Sequence, residues 1–399
     1  MREMKDSGIE WIGEIPKEWA TTKMKYVSSI ESGTSISKAE YRNDGEYEII
    51  GANGVLGYID RINVKKQVIT TGRVGTIGTA HKIEKAWVTD NVLIVTTKSK
   101  VDYEFLYWVL PNFDFIQITS GTAMPLVTAS NLSKQVLPFP KLEEQSRIAS
   151  FLDSKCSEID SLHSDINEQI ETLKEYKKSV ITEAVTKGLN PDVEMKDSGV
   201  EWIREIPKEW KCKKIKYSCK TRSEKYNLTK GKLNYFALEN IKSWNFSFIK
   251  TENEYDLNDS QLCYKNDVVF GKLRPYLAKT FLVDYDRCCS SEFAVFHQFD
   301  GIPKYFLYVF TSQGFVKIVD DSTAGVKMPR ANINFINNVL IPVPSKKEQT
   351  EIVNYLDSKC SEIDSIIESK QQQLETLEQY KKSLIYEYVT GKKEVPANA

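Results

Sequence analysis

Residues 142–188 hold no proline, and their only glycine is Gly188. Apolar residues in this stretch fall on a seven-residue grid. One row is Leu152, Ile159, Ile166, Leu173 and Val180. The row read as its partner lies three residues on and contains Ile148, Lys155, Leu162, Gln169 and Tyr176. The same grid returns near the end of the chain, with Leu356, Ile363, Lys370, Leu377 and Leu384 in one row and Ile352, Lys359, Ile366, Gln373 and Tyr380 in the other. A sustained heptad predicts two coiled-coil helices. Their expected core is Leu152, Ile159, Leu162, Ile166, Leu173 and Tyr176 with Leu356, Ile363, Ile366, Leu377 and Tyr380. Ser345 with Glu348 forms a capping box at the second helix start, and Pro140 and Pro344 stop what precedes each helix. At 1.5 Å per residue such a helix is roughly 70 Å long. Lys155, Lys359, Gln169 and Gln373 fall at matching core positions. There they either fix the register or lay their stems over the seam.

Repetition extends beyond the helices. Met4 to Trp19 (MKDSGIEWIGEIPKEW) recurs as Met195 to Trp210 (MKDSGVEWIREIPKEW), identical at 14 of 16 positions and offset by 191. FLDSKCSEIDS from Phe151 recurs as YLDSKCSEIDS from Tyr355, offset by 204, and LKEYKKSVI recurs as LEQYKKSLI at the same offset. Residues 20–140 and 211–344 share little beyond their last stretch, GTAMPLVTASNLSKQVLPFP against GVKMPRANINFINNVLIPVP, and the echo of FLY at Phe105 and Phe306. The plan is motif, variable module, helix, written twice. One scaffold presenting two different readers accounts for this better than a duplicated fold whose loops drifted.

Connectivity sets the expected pairing direction. A module of 134 residues has a radius of gyration of about 14 Å, too small to bridge a helix of roughly 70 Å. The second helix should therefore start near the end of the first, giving an antiparallel pair. Trp202 and Trp210 argue that the linking motif packs and does not extend.

Composition narrows the class. With 41% hydrophobic and 27% charged residues, the chain is globular and long enough for two or three domains. No apolar run approaches membrane-spanning length, and the N-terminus has no apolar core behind its charges. A soluble cytoplasmic chain with no membrane partner is expected. Seven cysteines without a CxxC pair fit a reducing compartment. The formal net charge of −1 hides a segregation. Residues 20–140 carry 13 basic and 11 acidic residues, and residues 211–344 carry 20 and 13. The motifs and helices carry 21 and 31. Basic modules beside an acidic scaffold suit a phosphate-bearing partner.

Within the modules, TTGRVGTIGTAH (Thr70 to His81) and FGKLRPYLAKT (Phe270 to Thr280) set cations among glycine, aromatic and small polar residues. The candidate DNA-binding residues are Asn53, Arg73, Thr76, Lys272, Arg274, Tyr276, Lys327 and Arg330. Arg73, Lys272 and Arg274 have the chemistry to pair with guanine edges or phosphates, and Asn53 that to read adenine. For any one of them, a solvated loop cation is the ordinary alternative.

Catalytic patterns are missing. There is no GxxxxGK[ST] loop and no HExxH, and Gly72, Gly75 and Gly78 read as a tight turn in a sheet. His81, His163 and His297 lack metal-ligand spacing, with His163 read as a helix-surface residue. Cys288–Cys289 and the matched Cys156 and Cys360 read as packing residues. Asn190–Pro191–Asp192 does not supply the Asn/Asp-Pro-Pro-aromatic segment of DNA-base methyl transfer. No catalytic or metal residues are assigned, and the chain is expected not to be catalytic by itself.

The order DSGxEWIxEIPKEW, variable region, PxP-type ending, EQxxIxxxLDxKxxxID and YKKSxI helix, repeated over essentially the whole chain, resembles the specificity subunits of type I restriction–modification systems. GRVGTIG and GKLRPYL also look like segments of that family's target-recognition domains. The resemblance implies an α+β fold. Two α/β target-recognition domains are separated by two long helices forming an antiparallel coiled coil, with a pseudo-two-fold internal repeat. The expected boundaries are 1–19 for the first motif, 20–140 for the first recognition domain and 141–194 for the central helix. Then follow 195–210 for the second motif and linker, 211–344 for the second recognition domain and 345–399 for the C-terminal helix. The resemblance implies that the chain reads a bipartite, asymmetric site on double-stranded DNA. The helices would set the gap, two methyltransferase subunits would dock on them, and nuclease–translocase subunits would join. Helix faces carrying Glu158, Glu168 and Glu171 are candidate docking faces. No cofactor is expected on this chain; S-adenosylmethionine, ATP and magnesium would belong to the partners. The competing reading is a non-catalytic coiled-coil scaffold with two protein-binding modules.

Overall fold

The structure is a computed structural model and describes residues 2–119, 126–226, 233–250, 260–323 and 328–396. It divides into two compact units that are not consecutive stretches of chain. One comprises Met1–Ile166 with Gln372–Ala399, and the other Asn167–Gln371. Each long helix, Leu142–Lys187 and Lys346–Val389, therefore gives its first part to one unit and its last part to the other.

In the first unit the repeated motif folds as a hairpin, Met4–Asp6 against Glu14–Pro16. Ile12, Ile15 and Trp19 from this motif are at most 1% exposed and pack with Leu152, Leu384 and Val389 of the two helices. The second unit repeats this with Met195–Asp197 against Glu205–Pro207, and with Ile203, Ile206 and Trp210 against Val180, Ala184 and Leu356. The indole Nε1 of Trp19 donates to Glu144 at 2.9 Å, and that of Trp210 to Glu348 at 2.9 Å. Glu348 also closes the expected capping box: the Glu348 N–H donates to Ser345 Oγ, and the Ser345 N–H to Glu348 Oε2. Burial pushes the Glu348 carboxyl upward, but the donors from Trp210 and Ser345 outweigh it and hold the group below its ordinary range.

A second repeated device joins each module to its helix. Gln145 is fully buried. Its Oε1 accepts from the Asp102 N–H at 2.8 Å, and its Nε2 donates to the Pro140 carbonyl at 2.8 Å. Gln349 does the same with the Ile302 N–H at 2.8 Å and the Pro344 carbonyl at 3.0 Å. The repeated aspartates of LDSKC hold the FLY helices, Trp108 Nε1 donating to Asp153 at 3.0 Å and the Tyr308 hydroxyl to Asp357 at 2.6 Å.

The modules are more alike in structure than in sequence. In the first, a four-stranded antiparallel sheet runs in the order Ser28–Ser32, Val92–Thr97, Val68–Gly72, Ala80–Ile83. In the second, the same order is Lys220–Arg222, Phe293–His297, Val268–Gly271, Thr280–Leu282. They diverge in the smaller three-stranded sheet. Its central strand is Tyr47–Gly51 in the first module and Arg287–Ser290 in the second.

Within each unit the helix segments pair antiparallel. Asp160 meets Lys381 at 2.6 Å and His163 lies 3.7 Å from Glu378 in the first unit. In the second, Lys177 meets Asp364 at 2.6 Å and Lys370 donates to Gln169 at 2.5 Å. As one residue number rises, its partner's falls. Lys177–Asp364 and Asp160–Lys381 are the same pair carried over by the 204-residue offset.

The seam corrects the expected core. Leu152, Ile159, Leu356 and Ile363 are buried, and Ile166, Leu173 and Leu377 half-buried. Leu162, Tyr176, Ile366 and Tyr380 are instead 50, 53, 40 and 54% exposed. The second row lies four residues after the first, at Cys156, Ile170 and Lys177 and at Cys360, Lys381 and Tyr388, not three. A seven-residue period fits either spacing, and the apolar side chains at 162, 176, 366 and 380 favoured the wrong one. Lys155 and Lys359 accordingly lie outside the seam and pair with Glu158 and Glu362. Cys156 and Cys360 are buried, and burial pushes each thiol up to about 11. No helix among the described residues is long and apolar enough to cross a membrane.

Candidate nucleic-acid interface

In the first module, strand Val68–Gly72 ends against the turn that follows it. A Cβ on Gly72 would sit 1.9 Å from the Thr76 carbonyl oxygen, so only glycine allows the chain to double back here. The next residue, Arg73, is fixed through its backbone. Its N–H donates to the Asn91 carbonyl at 2.9 Å, and its own carbonyl accepts from the Val127 N–H at 3.0 Å. Its side chain is held loosely, with Nη1 3.4 Å from Ser32 Oγ and 3.5 Å from the Asp90 carbonyl. The buried Nε has no acceptor among the described residues. Thr76 Oγ1 donates to Asn53 Oδ1, which brings the Gly72–Gly78 turn against the turn between Tyr47–Gly51 and Gly54–Ile59. The structure therefore gathers Asn53, Arg73 and Thr76 at one edge of the module.

The second module builds the same junction from other residues. Lys272 follows Gly271 as Arg73 follows Gly72. Its N–H donates to the Glu292 carbonyl at 2.8 Å, and its carbonyl accepts from the Ala331 N–H at 2.9 Å. Val127 and Ala331 differ by 204, the offset of the helices. The Arg330 guanidinium pairs with Glu292 Oε1, while Glu292 Oε2 is buried without a partner among the described residues. Burial pulls the Lys272 ammonium below its ordinary range, partly opposed by Glu292 and reinforced by Arg330. Arg274, with φ 52°, and Ala278, with φ 45°, bracket the 3-10 turn Pro275–Leu277. Both adopt the left-handed region at a cost of roughly 1–2 kcal/mol each. Arg274 is pinned by its N–H to the Pro329 carbonyl at 2.8 Å. Tyr276 is 45% exposed at the turn's tip. Lys272, Arg274, Tyr276 and Arg330 are thus brought together, and Lys327 lies outside the described residues.

Geometry adds residues that sequence reasoning passed over. Trp244 Nε1 donates to the Tyr276 carbonyl at 3.1 Å, and Lys178 Nζ stacks 4.5 Å from the Trp244 ring, tying the reading turn to the first long helix. Trp244 (φ 58°) and its neighbour Phe246 (φ 57°) also sit in the left-handed region. Glu292 and Asn91 occupy equivalent places beside Lys272 and Arg73. Nothing local marks any of these positions, because each acts through a partner over 15 residues away in the chain. Each junction can present one or more cations and amide or hydroxyl groups to an anionic, hydrogen-bonding ligand. No grouping of three or more His, Cys, Asp or Glu suited to a metal occurs among the described residues. Cys288 and Cys289 are buried in the second module's smaller sheet, and burial pushes the Cys288 thiol up to about 11.

Comparison with known proteins agrees with the repeated architecture. The model of the type I restriction modification DNA specificity domain matches twice, over residues 16–172 and 202–379. The type I restriction enzyme MjaVIII specificity subunit of Methanocaldococcus jannaschii is 24% identical over 95% of this chain and 93% of its own length. The EcoDI specificity subunit of Escherichia coli is 21% identical over 89% and 84%. A chain from a structure addressing complex assembly and conformational transition of the type I R-M system aligns with a TM-score of 0.67 at 15% identity, covering 95% of this chain and 99% of that one. The HsdS subunit from Thermoanaerobacter tengcongensis aligns with a TM-score of 0.50 at 15% identity over 95% and 98%. With two full domain matches spanning most of its length, the chain belongs to the type I restriction modification DNA specificity domain family.

Proposed function

We propose that this chain is the DNA sequence-specificity subunit of a type I restriction–modification complex, and that it reads a bipartite, asymmetric site with one module per half. The observation that carries this reading is the pair of junctions at Gly72–Arg73 and Gly271–Lys272. The backbone hydrogen bonds that hold Arg73 and Lys272 are the same and the side chains differ, as two readers of two different half-sites require. Backbone-fixed cations at a module edge suit base-edge and phosphate contacts in a groove. Catalysis, with S-adenosylmethionine, ATP and magnesium, falls to partner subunits, and this chain contributes recognition.

Two methyltransferase subunits are the partners assigned to the helices, with nuclease–translocase subunits joining them. The exposed rows support this. Leu162 and Tyr380 lie on the same stretch of the helix pair in the first unit, and Ile366 and Tyr176 on the equivalent stretch in the second. Two like apolar patches, related by the repeat, fit two copies of one partner. Glu158 and Glu171 already pair with lysines on their own helix, so the apolar rows carry more of this argument than the acidic faces.

The test replaces residues 20–140 with the corresponding module of another family member and maps the methylated sequence in a host carrying the methyltransferase subunit. One half-site changes and the other stays. A change in both halves, or no methylation directed by either protein, overturns the reading and favours a protein-binding scaffold. Inserting one heptad into both helices should lengthen the spacer and leave both half-sites intact.

A further inference from the structure

Continuing the repeat past Trp19 and Trp210 at the same 191-residue offset aligns Lys23-Met24-Lys25-Tyr26 with Lys214-Ile215-Lys216-Tyr217. The one position that differs, Met24 against Ile215, has a structural cause for its apolar character. Met24 and Ile215 are fully buried, and their N–H groups donate to the Gln135 carbonyl at 2.9 Å and the Val339 carbonyl at 3.0 Å. The three identical positions have no such cause. Tyr26 is 63% exposed and Tyr217 70% exposed, among the most exposed large aromatic side chains of the protein. Neither hydroxyl has a partner within the chain among the described residues. Each ring is covered by the preceding lysine, Lys25 Nζ at 4.9 Å and Lys216 Nζ at 5.3 Å.

The surroundings are cationic in both units. Lys98 Nζ donates to the Lys25 carbonyl at 2.6 Å, adding a third ammonium beside Lys23 and Lys25. In the second unit the acidic neighbour Asp300 pairs with Lys213 at 3.0 Å, and neither Lys214 nor Lys216 has an ion-pair partner among the described residues. Large exposed rings, and lysines with no ion pair among the described residues, kept identical while the surfaces around them diverged, serve something common to both half-sites. Base sequence is not common to them; the sugar–phosphate backbone is. A protein partner would need apolar area around the tyrosine, and lysines occupy that place.

We propose that the Lys25–Tyr26 and Lys216–Tyr217 pairs are a duplicated, sequence-independent contact to the DNA phosphate backbone, distinct from the base-reading junctions. This rests on the DNA-recognition reading above. In the first unit, strand Ser28–Ser32 runs from the patch toward Ser32, the neighbour of Arg73, so about 14 Å separates the two surfaces along the strand. That is of the order of the ~12 Å width of a major groove. The lysines supply charge and counterion release, and the tyrosine hydroxyls supply phosphate hydrogen bonds.

The test is equilibrium binding of the full chain, assembled with its methyltransferase subunit, to a duplex bearing its methylated sequence and to a random duplex, as a function of salt. The double variant K25A/K216A removes only exposed side chains. It should weaken both duplexes by the same factor and lower the slope of log affinity against log salt by about 1.8, at ~0.9 per phosphate contact. Between about 50 and 200 mM salt this shrinks the salt-dependent loss roughly twelvefold. K25R/K216R should retain the slope, and the methylated sequence should not change. An unchanged slope overturns the proposal. So does a loss confined to assembly with the methyltransferase subunit, which would make the patch a protein contact. Loss on the specific duplex alone overturns it too, making the patch a base reader. Failure of DNA recognition as such would show separately, as absence of any sequence preference in the unaltered complex.

Discussion

Replacing Arg73 by alanine separates recognition from stability, because the fold holds Arg73 by its backbone and hardly by its side chain. Both strong bonds at this position, to the Asn91 carbonyl and from the Val127 N–H, belong to the main chain and survive the substitution. The guanidinium contacts that are lost are long, 3.4 and 3.5 Å, and the Nε makes none. Two marginal bonds and some stem packing cost less than about 1 kcal/mol. Removing a buried donor that lacks an acceptor returns part of that. Against DNA, a bidentate arginine–guanine contact contributes about 1–3 kcal/mol of discrimination, or about 5- to 150-fold. The expected outcome is therefore a melting midpoint within a few degrees of the parent and a 5- to 150-fold loss of affinity. That loss should be confined to duplexes carrying the correct first half-site, and duplexes altered in the second half should lose nothing further. Competition binding of the assembled complex with duplexes substituted in one half at a time measures this. An equal loss on every duplex, with the salt slope reduced by about one, would reassign Arg73 to a phosphate. A fall in stability well beyond about 1 kcal/mol would mean that the side chain, and not the backbone, holds this junction.

Three further outcomes follow from the packing. Gln349→Leu leaves the Ile302 N–H and Pro344 carbonyl buried without partners, so it should cost about 2–4 kcal/mol in chemical denaturation. A value under about 0.5 would show that the clamp is dispensable. Asp364→Asn should destabilise by about 2–4 kcal/mol, since Lys177 is 4% exposed and would be left unpaired. Asp160→Asn should cost under about 1 kcal/mol because the side chains of Lys381 and Asp160 are 28 and 63% exposed; equal effects would remove burial as the cause. Lys272 has its folded-state pKa below its unfolded value, so the unfolded chain holds more protons in the window between them. Stability should rise as pH climbs from the depressed value toward about 10.5. Lys272→Met should abolish that rise without lowering neutral stability and should weaken DNA binding; a parent profile flat in that window would contradict the burial.

The sequence alone determined the repeat, the two long helices, the capping box of the second and their antiparallel direction. All of these rest on local periodicity or on distances the connecting chain can span. It also singled out Arg73 and Lys272 as candidates, because each stands beside a glycine among aromatic and small polar residues. Tertiary structure decided the rest. Which heptad row faces inward is a choice between spacings of three and four, and only the partner helix makes it. The equivalence of Arg73 with Lys272 appears only when strands 68–72 and 268–271 occupy the same place in two sheets of the same order, since their sequences share little. The roles of Gln145, Gln349, Glu292 and Trp244 depend on partners 20 to 66 residues away, with Pro140 and Pro344 adding a nearby carbonyl to the two glutamines. Hydrogen bonds over such separations leave no periodic trace, because their geometry is set by the packed core and not by the chain's local preferences.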